Sequence, residues 1–150
     1  MPATGPQGLV TMAWLSRGIS TIPGYLGLRP DRHVFFLAFG SGTAWGFQLR
    51  KMARRSGKPD YSDELLNGDD PAVMIFEERL QDVKIWFPWH YFMGGLKVRT
   101  SHDLYRFSFG PPVNRSQWVD ALSYISPMRA TAREWRARLA EAAASQHESA

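Results

Sequence analysis

The sequence predicts a mainly β (α+β) fold, an antiparallel β-barrel or sandwich of about six to seven strands, capped by a C-terminal helix and followed by a second one. Three observations predict it. Between Tyr25 and Phe109, short apolar runs of period two recur between turn residues. Aromatic residues make up 13% of the 150, with six Trp and nine Phe, which suits strands around a bulky core. From Trp118 onward the apolar period changes to that of a helix.

The first hairpin lies in GYLGLRPDRHVFFLAFG, residues 24–40. Tyr25, Leu26 and Leu28 form a strand, and Arg29-Pro30-Asp31-Arg32 is a turn in which proline presets φ near −65° and Asp suits a type I geometry. In His33–Phe39, Val34, Phe36 and Ala38 share one face and Phe35, Leu37 and Phe39 the other. Both faces are apolar, so this strand is expected to be covered on both sides or to lie deep in a barrel. Ser41–Pro71 is a long insert whose first part, Trp45–Arg55, has helical character before Ser56-Gly57, Pro59, Asn67-Gly68 and Asp69-Asp70-Pro71 signal loop.

Strands resume at Val73–Phe76 and again at Asp82–Phe87, where Val83, Ile85 and Phe87 oppose Lys84 and Trp86. Gly94-Gly95 turns the chain into LKVRTS, with Leu96, Val98 and Thr100 on one face and Lys97 and Arg99 on the other. Ser101-His102-Asp103 is a turn, and in YRFSF the residues Tyr105, Phe107 and Phe109 point inward. A helix over about 115–126 follows, with Trp118, Leu122 and Ile125 at i, i+4 and i+7 as the lid of the sheet. Pro127 is expected to end it. A second helix then carries Met128, Trp135, Leu139 and Ala142 on one side. The expected organisation is one domain over 1–126 with the insert 41–71, plus a helical extension over 127–150.

The spacing Gly24-x-Leu26-x-Leu28-x-x-x-Arg32-x-x-Phe35 resembles the first hairpin of GRAM-type and bacterial pleckstrin-homology-like (PH-like) domains. Gly95-Leu96-x-Val98-x-Thr100, Tyr105-x-Phe107-x-Phe109 and Trp118-x-x-x-Leu122 are similar to that family's last strands and closing helix. The likeness covers roughly residues 20–126. Arg29 stands where the family often has Thr, and the insert is longer than the family pattern. The resemblance implies a non-catalytic binding module for phosphoinositides, membrane surfaces or proteins. The family's phosphoinositide signature, basic residues in a long loop between the first two strands, is absent, because that loop is only Arg29 to Arg32.

Composition limits the partners. Net charge is +4 and the pI about 9.7, a mild bias toward anionic partners. With no cysteine there is no disulfide framework and no thiolate chemistry, which suits a cytoplasmic protein. The N-terminal stretch lacks the basic start of a signal peptide. The uncharged run Val34–Leu49 holds sixteen residues, short of the about 20 a spanning helix needs.

Two candidate sites stand out. Arg50, Lys51, Arg54, Arg55 and Lys58 place five cations in nine residues with no acid among them, just after Trp45 and Phe47. This is the pattern of an anionic membrane surface or lipid head-group site, with the aromatics as interfacial anchors and the protein peripheral to the membrane. The aromatic segment Trp86–Met93 offers Trp86, Trp89, Tyr91 and Phe92 as anchors for a protein partner or for a homo-oligomer, together with the C-terminal helix. A bulky plug for one end of the sheet accounts for the same residues. Lys97, Arg99 and Arg106 form a further basic stripe, most simply outward strand residues, and Arg129, Arg133, Arg136 and Arg138 a solvated helix face. No nucleic-acid docking motif accompanies these charges, so nucleic acid is not an expected partner. The four histidines form no i, i+4 pair, and Glu77 and Glu78 point to opposite sides of a strand. The expectation is therefore a protein that is not an enzyme, with no metal and no cofactor.

Overall fold

Leu9–Arg17 shows no clean alternation, because Val10, Met12 and Trp14 are as apolar as Ala13 and Leu15. In the computed structural model it is nevertheless the strand on which the sheet is built. The structure describes residues 8–17, 20–39, 46–55, 72–88, 94–110 and 118–148. Its strands are β1 (Leu9–Arg17), β2 (Ser20–Leu28), β3 (His33–Phe39), β4 (Ala72–Arg79), β5 (Lys84–Trp86), β6 (Gly95–Arg99) and β7 (Leu104–Ser108). Helix α1 (Gly46–Arg55) lies between β3 and β4, and helix α2 (Trp118–Glu148) follows β7.

The strands form one antiparallel sheet in the order β4-β3-β2-β1-β7-β6-β5. β1 pairs along its whole length with β2 and, through Trp14–Ser16, with β7. The two meanders therefore meet at one shared strand. Phe76 of β4 stacks on Tyr105 of β7 at 4.7 Å, and Phe36 of β3 meets Phe107 of β7 at 4.8 Å. In a flat sheet β4 and β7, four steps apart, would be separated by about 19 Å. The sheet is thus curled on itself around an aromatic core. Among the described residues β4 and β5 remain the two ends of the ladder, so it does not close into a barrel, and the curled, sandwich-like form is the one found.

Local chemistry explains the strand ends. Arg32 N–H donates to Arg29 O (2.9 Å) and Arg29 N–H to His33 O (2.8 Å), with Arg32 at φ 66°. This is the expected proline turn, extended by one left-handed residue, the arrangement of a three-residue hairpin loop. The Asp31 carboxyl accepts from Arg29 (2.8 Å) and from His33 N–H (3.3 Å). Partial desolvation raises its pKa, and the His33 and Arg29 contacts outweigh that and hold it below the usual value. A bulge at Phe36/Leu37 in the β3–β4 ladder turns both Ile75 and Phe76 inward.

The expectation for β3 needs correction. Val34, Phe36 and Ala38 are buried, but Phe35, Leu37 and Phe39 are half-exposed on the outer face. That face is sheltered by its own neighbours: the Phe35 ring lies across Gly27, its cross-strand partner, where a side chain would collide with it, and Tyr25 meets Phe39 edge-on at 5.0 Å.

The two-helix expectation is also corrected. α2 runs without a break from Trp118 to Glu148, through Pro127 and across the boundary expected at 126/127. An interior proline costs about 3 kcal/mol. Beyond it Met128, Trp135 and Ala142 are buried, with Ala132 and Leu139 packed against the core. Each large buried side chain contributes about 1.5–3 kcal/mol, so the packing offsets the proline. Thr131 Oγ1 also donates to Pro127 O (3.0 Å). The side chains of Trp118, Leu122 and Ile125 lie outside those described. The stripe seen to close the sheet is Met128-Trp135-Leu139-Ala142.

Candidate anion-binding surface

α1 forms at the expected place, with Met52 and Ala53 buried in the core. At about 100° per residue, Arg50, Lys51, Arg54 and Arg55 span roughly 140° of the helix, centred opposite that buried pair. All four are exposed. The helix contains no acid, so Arg50/Arg54 and Lys51/Arg55 are like-charged i, i+4 pairs, each of which costs about 0.2–0.5 kcal/mol. Arg54 and Arg55 recover part of this by lying at the negative end of the helix dipole.

Arg55 has a structural task as well. Its Nη2 lies 3.0 Å from Asp103 Oδ1, and the Asp103 side chain is fully buried while that of Arg55 is half-exposed. Asp103 sits in the β6–β7 turn, where its carboxylate also accepts from Leu104 N–H (2.8 Å). Thr100 Oγ1 accepts from the N–H groups of His102 and Asp103, both at 3.1 Å, and Thr100 N–H donates to Asp103 O (2.9 Å). The turn is therefore a braced platform to which Arg55 fixes the C-terminal end of α1. Asp103→Ala removes the acceptor and should cost about 1.5–3 kcal/mol in a urea titration, the worth of a hydrogen bond to a charged group. A loss below about 0.5 kcal/mol would show that this bridge does not hold α1.

The turn joins α1 to a second group of cations. Lys84 of β5 stands opposite Arg99 of β6, and Arg99 opposite Leu104. In the next row Trp86, Lys97, Arg106 and Ser16 follow one another across β5, β6, β7 and β1. Lys84, Arg99 and Arg106 are exposed and Lys97 is half-buried. β5, β6 and β7 contain no acidic residue. Trp86 is half-buried beneath Lys84 Nζ, 5.5 Å from its ring. Alternation marks Lys97, Arg99 and Arg106 as outward, and the register adds Lys84 and sets the four in two opposed pairs.

The outer face of β1–β4 differs. Met12, Tyr25, Leu37 and Met74 follow one another across the four strands. Val10, Met12 and Tyr25 are exposed by 57%, 43% and 39%.

Of the other site residues expected from sequence, Trp45, Lys58, Trp89, Tyr91 and Phe92 lie outside the described residues, and Phe47 is described in its backbone alone. The cations of α2 behave as a helix surface: Arg138 pairs with Glu134 (4.0 Å) and Glu141 (3.4 Å), and Arg136 covers the Phe87 ring at 4.6 Å. Among the described residues no three His, Asp or Glu side chains gather as metal ligands, and no helix is long and apolar enough to cross a membrane. No protein-family model, curated protein or solved structure matches the chain.

Proposed function

We propose that this protein is a non-catalytic PH/GRAM-like module that binds an anionic membrane surface or its lipid head groups. The observation that carries the reading is α1, a helix with four exposed cations and no acid, held on the sheet by the Arg55–Asp103 bridge. Asp103 already offsets the Lys51/Arg55 repulsion, but the Arg50/Arg54 pair lowers the helix's own stability, and an anionic surface offsets that repulsion. The PH-like assignment is supported by a curled antiparallel sheet followed directly by a helix that packs on it.

The test is co-sedimentation with phosphatidylcholine vesicles with and without phosphatidylserine. The protein should pellet with the acidic vesicles at low salt and be released as salt rises, because the Debye length is about 8 Å at physiological ionic strength. Arg50→Glu removes one cation and pairs with Arg54. Two units of positive charge are lost, so at roughly 1 kcal/mol for each, binding should weaken about thirtyfold. The melt should not fall, since Glu at i with Arg at i+4 is a favourable pair. A wild-type protein that ignores acidic vesicles even at low salt ends the membrane reading.

Protein interaction is the second reading. The apolar outer face of β1–β4 favours it, since exposed apolar patches mark partner surfaces.

A further inference from the structure

We infer that the outer face of β5–β7 is a second part of the docking surface, and that the protein meets an anionic phospholipid bilayer with the β6–β7 turn at the membrane, α1 and the strand cations touching it together. This rests on the membrane reading above and adds a second, sheet-borne site and an orientation to it.

Three observations carry it. First, the strand cations stand in like-charged cross-strand pairs. Lys84 faces Arg99 and Lys97 faces Arg106. Directly opposed residues sit about 5 Å apart, and like charges there are destabilising. The i, i+2 neighbours Lys97 and Arg99 are about 6.7 Å apart along β6. Four cations thus occupy adjoining positions in a small area whose strands carry no acid. A local rule broken twice in one place, always with the same sign, marks function more than fold.

Second, the two cationic groups adjoin. Arg55 is bonded to Asp103, and Asp103 precedes Leu104, the cross-strand partner of Arg99. The helix cations and the strand cations therefore meet at one turn. Among the described side chains the carboxylate at that junction is Asp103, which is buried and committed to Arg55 and Leu104 N–H. Third, the array suits a planar surface better than a strand of nucleic acid. Its cations spread over two rows and a helix. Single-stranded nucleic acid is held by bases stacked on several aromatic rings, whereas the described outward ring of β5–β7 is Trp86, already covered by Lys84.

The experiment uses the full chain with phosphatidylcholine vesicles containing phosphatidylserine, and compares Arg99→Glu/Arg106→Glu with Arg50→Glu and wild type. Each new Glu faces a lysine, so a repulsive pair becomes an attractive one. The expected result is a melting temperature at or above that of wild type, together with a loss of vesicle binding of about six hundredfold, since four units of charge are removed at about fivefold each. If the double variant melts lower, Arg99→Gln and Arg106→Gln decide: about fivefold weaker binding from each sustains the inference, and unchanged binding overturns it. Binding lost by Arg50→Glu but kept by the double variant overturns this inference and leaves the α1 reading standing. A wild-type protein that binds no acidic vesicle overturns both. A single-stranded oligonucleotide that binds at lower concentration than the vesicles and competes with them assigns this face to nucleic acid and overturns the bilayer.

Discussion

Replacing Trp135 with alanine should cost about 3–5 kcal/mol, the range for deleting a buried aromatic side chain. Trp135 is fully buried, lies nearly parallel to the Phe109 ring at 6.4 Å, and donates from Nε1 to Thr11 Oγ1 at 2.8 Å. It therefore ties α2 both to β1 and to the residue just after β7, the two strands where the meanders join. Truncation leaves a cavity over that seam and removes the partner of Thr11. Thr11 itself is only half-buried, so the cavity dominates the loss. Trp135→Phe separates the contributions. It keeps a ring against Phe109 and loses the hydrogen bond, and should cost about 1–2 kcal/mol. Guanidinium unfolding followed by far-ultraviolet circular dichroism measures both. A loss below about 1 kcal/mol for the alanine variant would mean that α2 does not close the core.

Gly94→Ala should cost about 2–5 kcal/mol, more than an alanine usually costs because two penalties coincide. Gly94 has φ 109°, where a side chain is strained. An added Cβ would also lie 2.6 Å from Met128 O and 2.7 Å from its carbonyl carbon. These are backbone atoms of α2, one residue past Pro127, so relief requires the helix to lift. Gly94 O meanwhile accepts from Phe109 N–H (3.3 Å), so the position cannot shift without disturbing the end of β7. Thermal unfolding reads the effect. A melting temperature unchanged in Gly94→Ala would show that α2 does not approach the sheet this closely.

The legible part of the fold was the part written locally. Alternation gave the inward faces of β6 and β7 residue by residue, Leu96, Val98, Tyr105 and Phe107, because one side of those strands is polar. The helical stripe Met128-Trp135-Leu139-Ala142 was legible for the same reason. β1 was not, since it is apolar on both faces and, unlike β3, has no proline turn between two apolar runs to mark its start. Pro127 misled because the rule it obeys is local, while the packing of Met128 and Trp135 that overrides it is not.

The candidate site divides in the same way. Sequence determined that Arg50, Lys51, Arg54 and Arg55 share a helix and one side of it, because helical periodicity alone places them there. It determined equally that Lys97, Arg99 and Arg106 point away from the core. Only the tertiary structure decided that Arg55 would be tied to Asp103, 48 residues away, and that Lys84 would stand opposite Arg99. Neither is fixed by spacing. The first depends on where α1 docks and the second on strand register, and both are set by how the curled sheet fills its interior with Phe36, Phe76, Tyr105 and Phe107. Core packing is non-local and sums many small contacts, so it leaves no local pattern that would join two groups of cations into one surface.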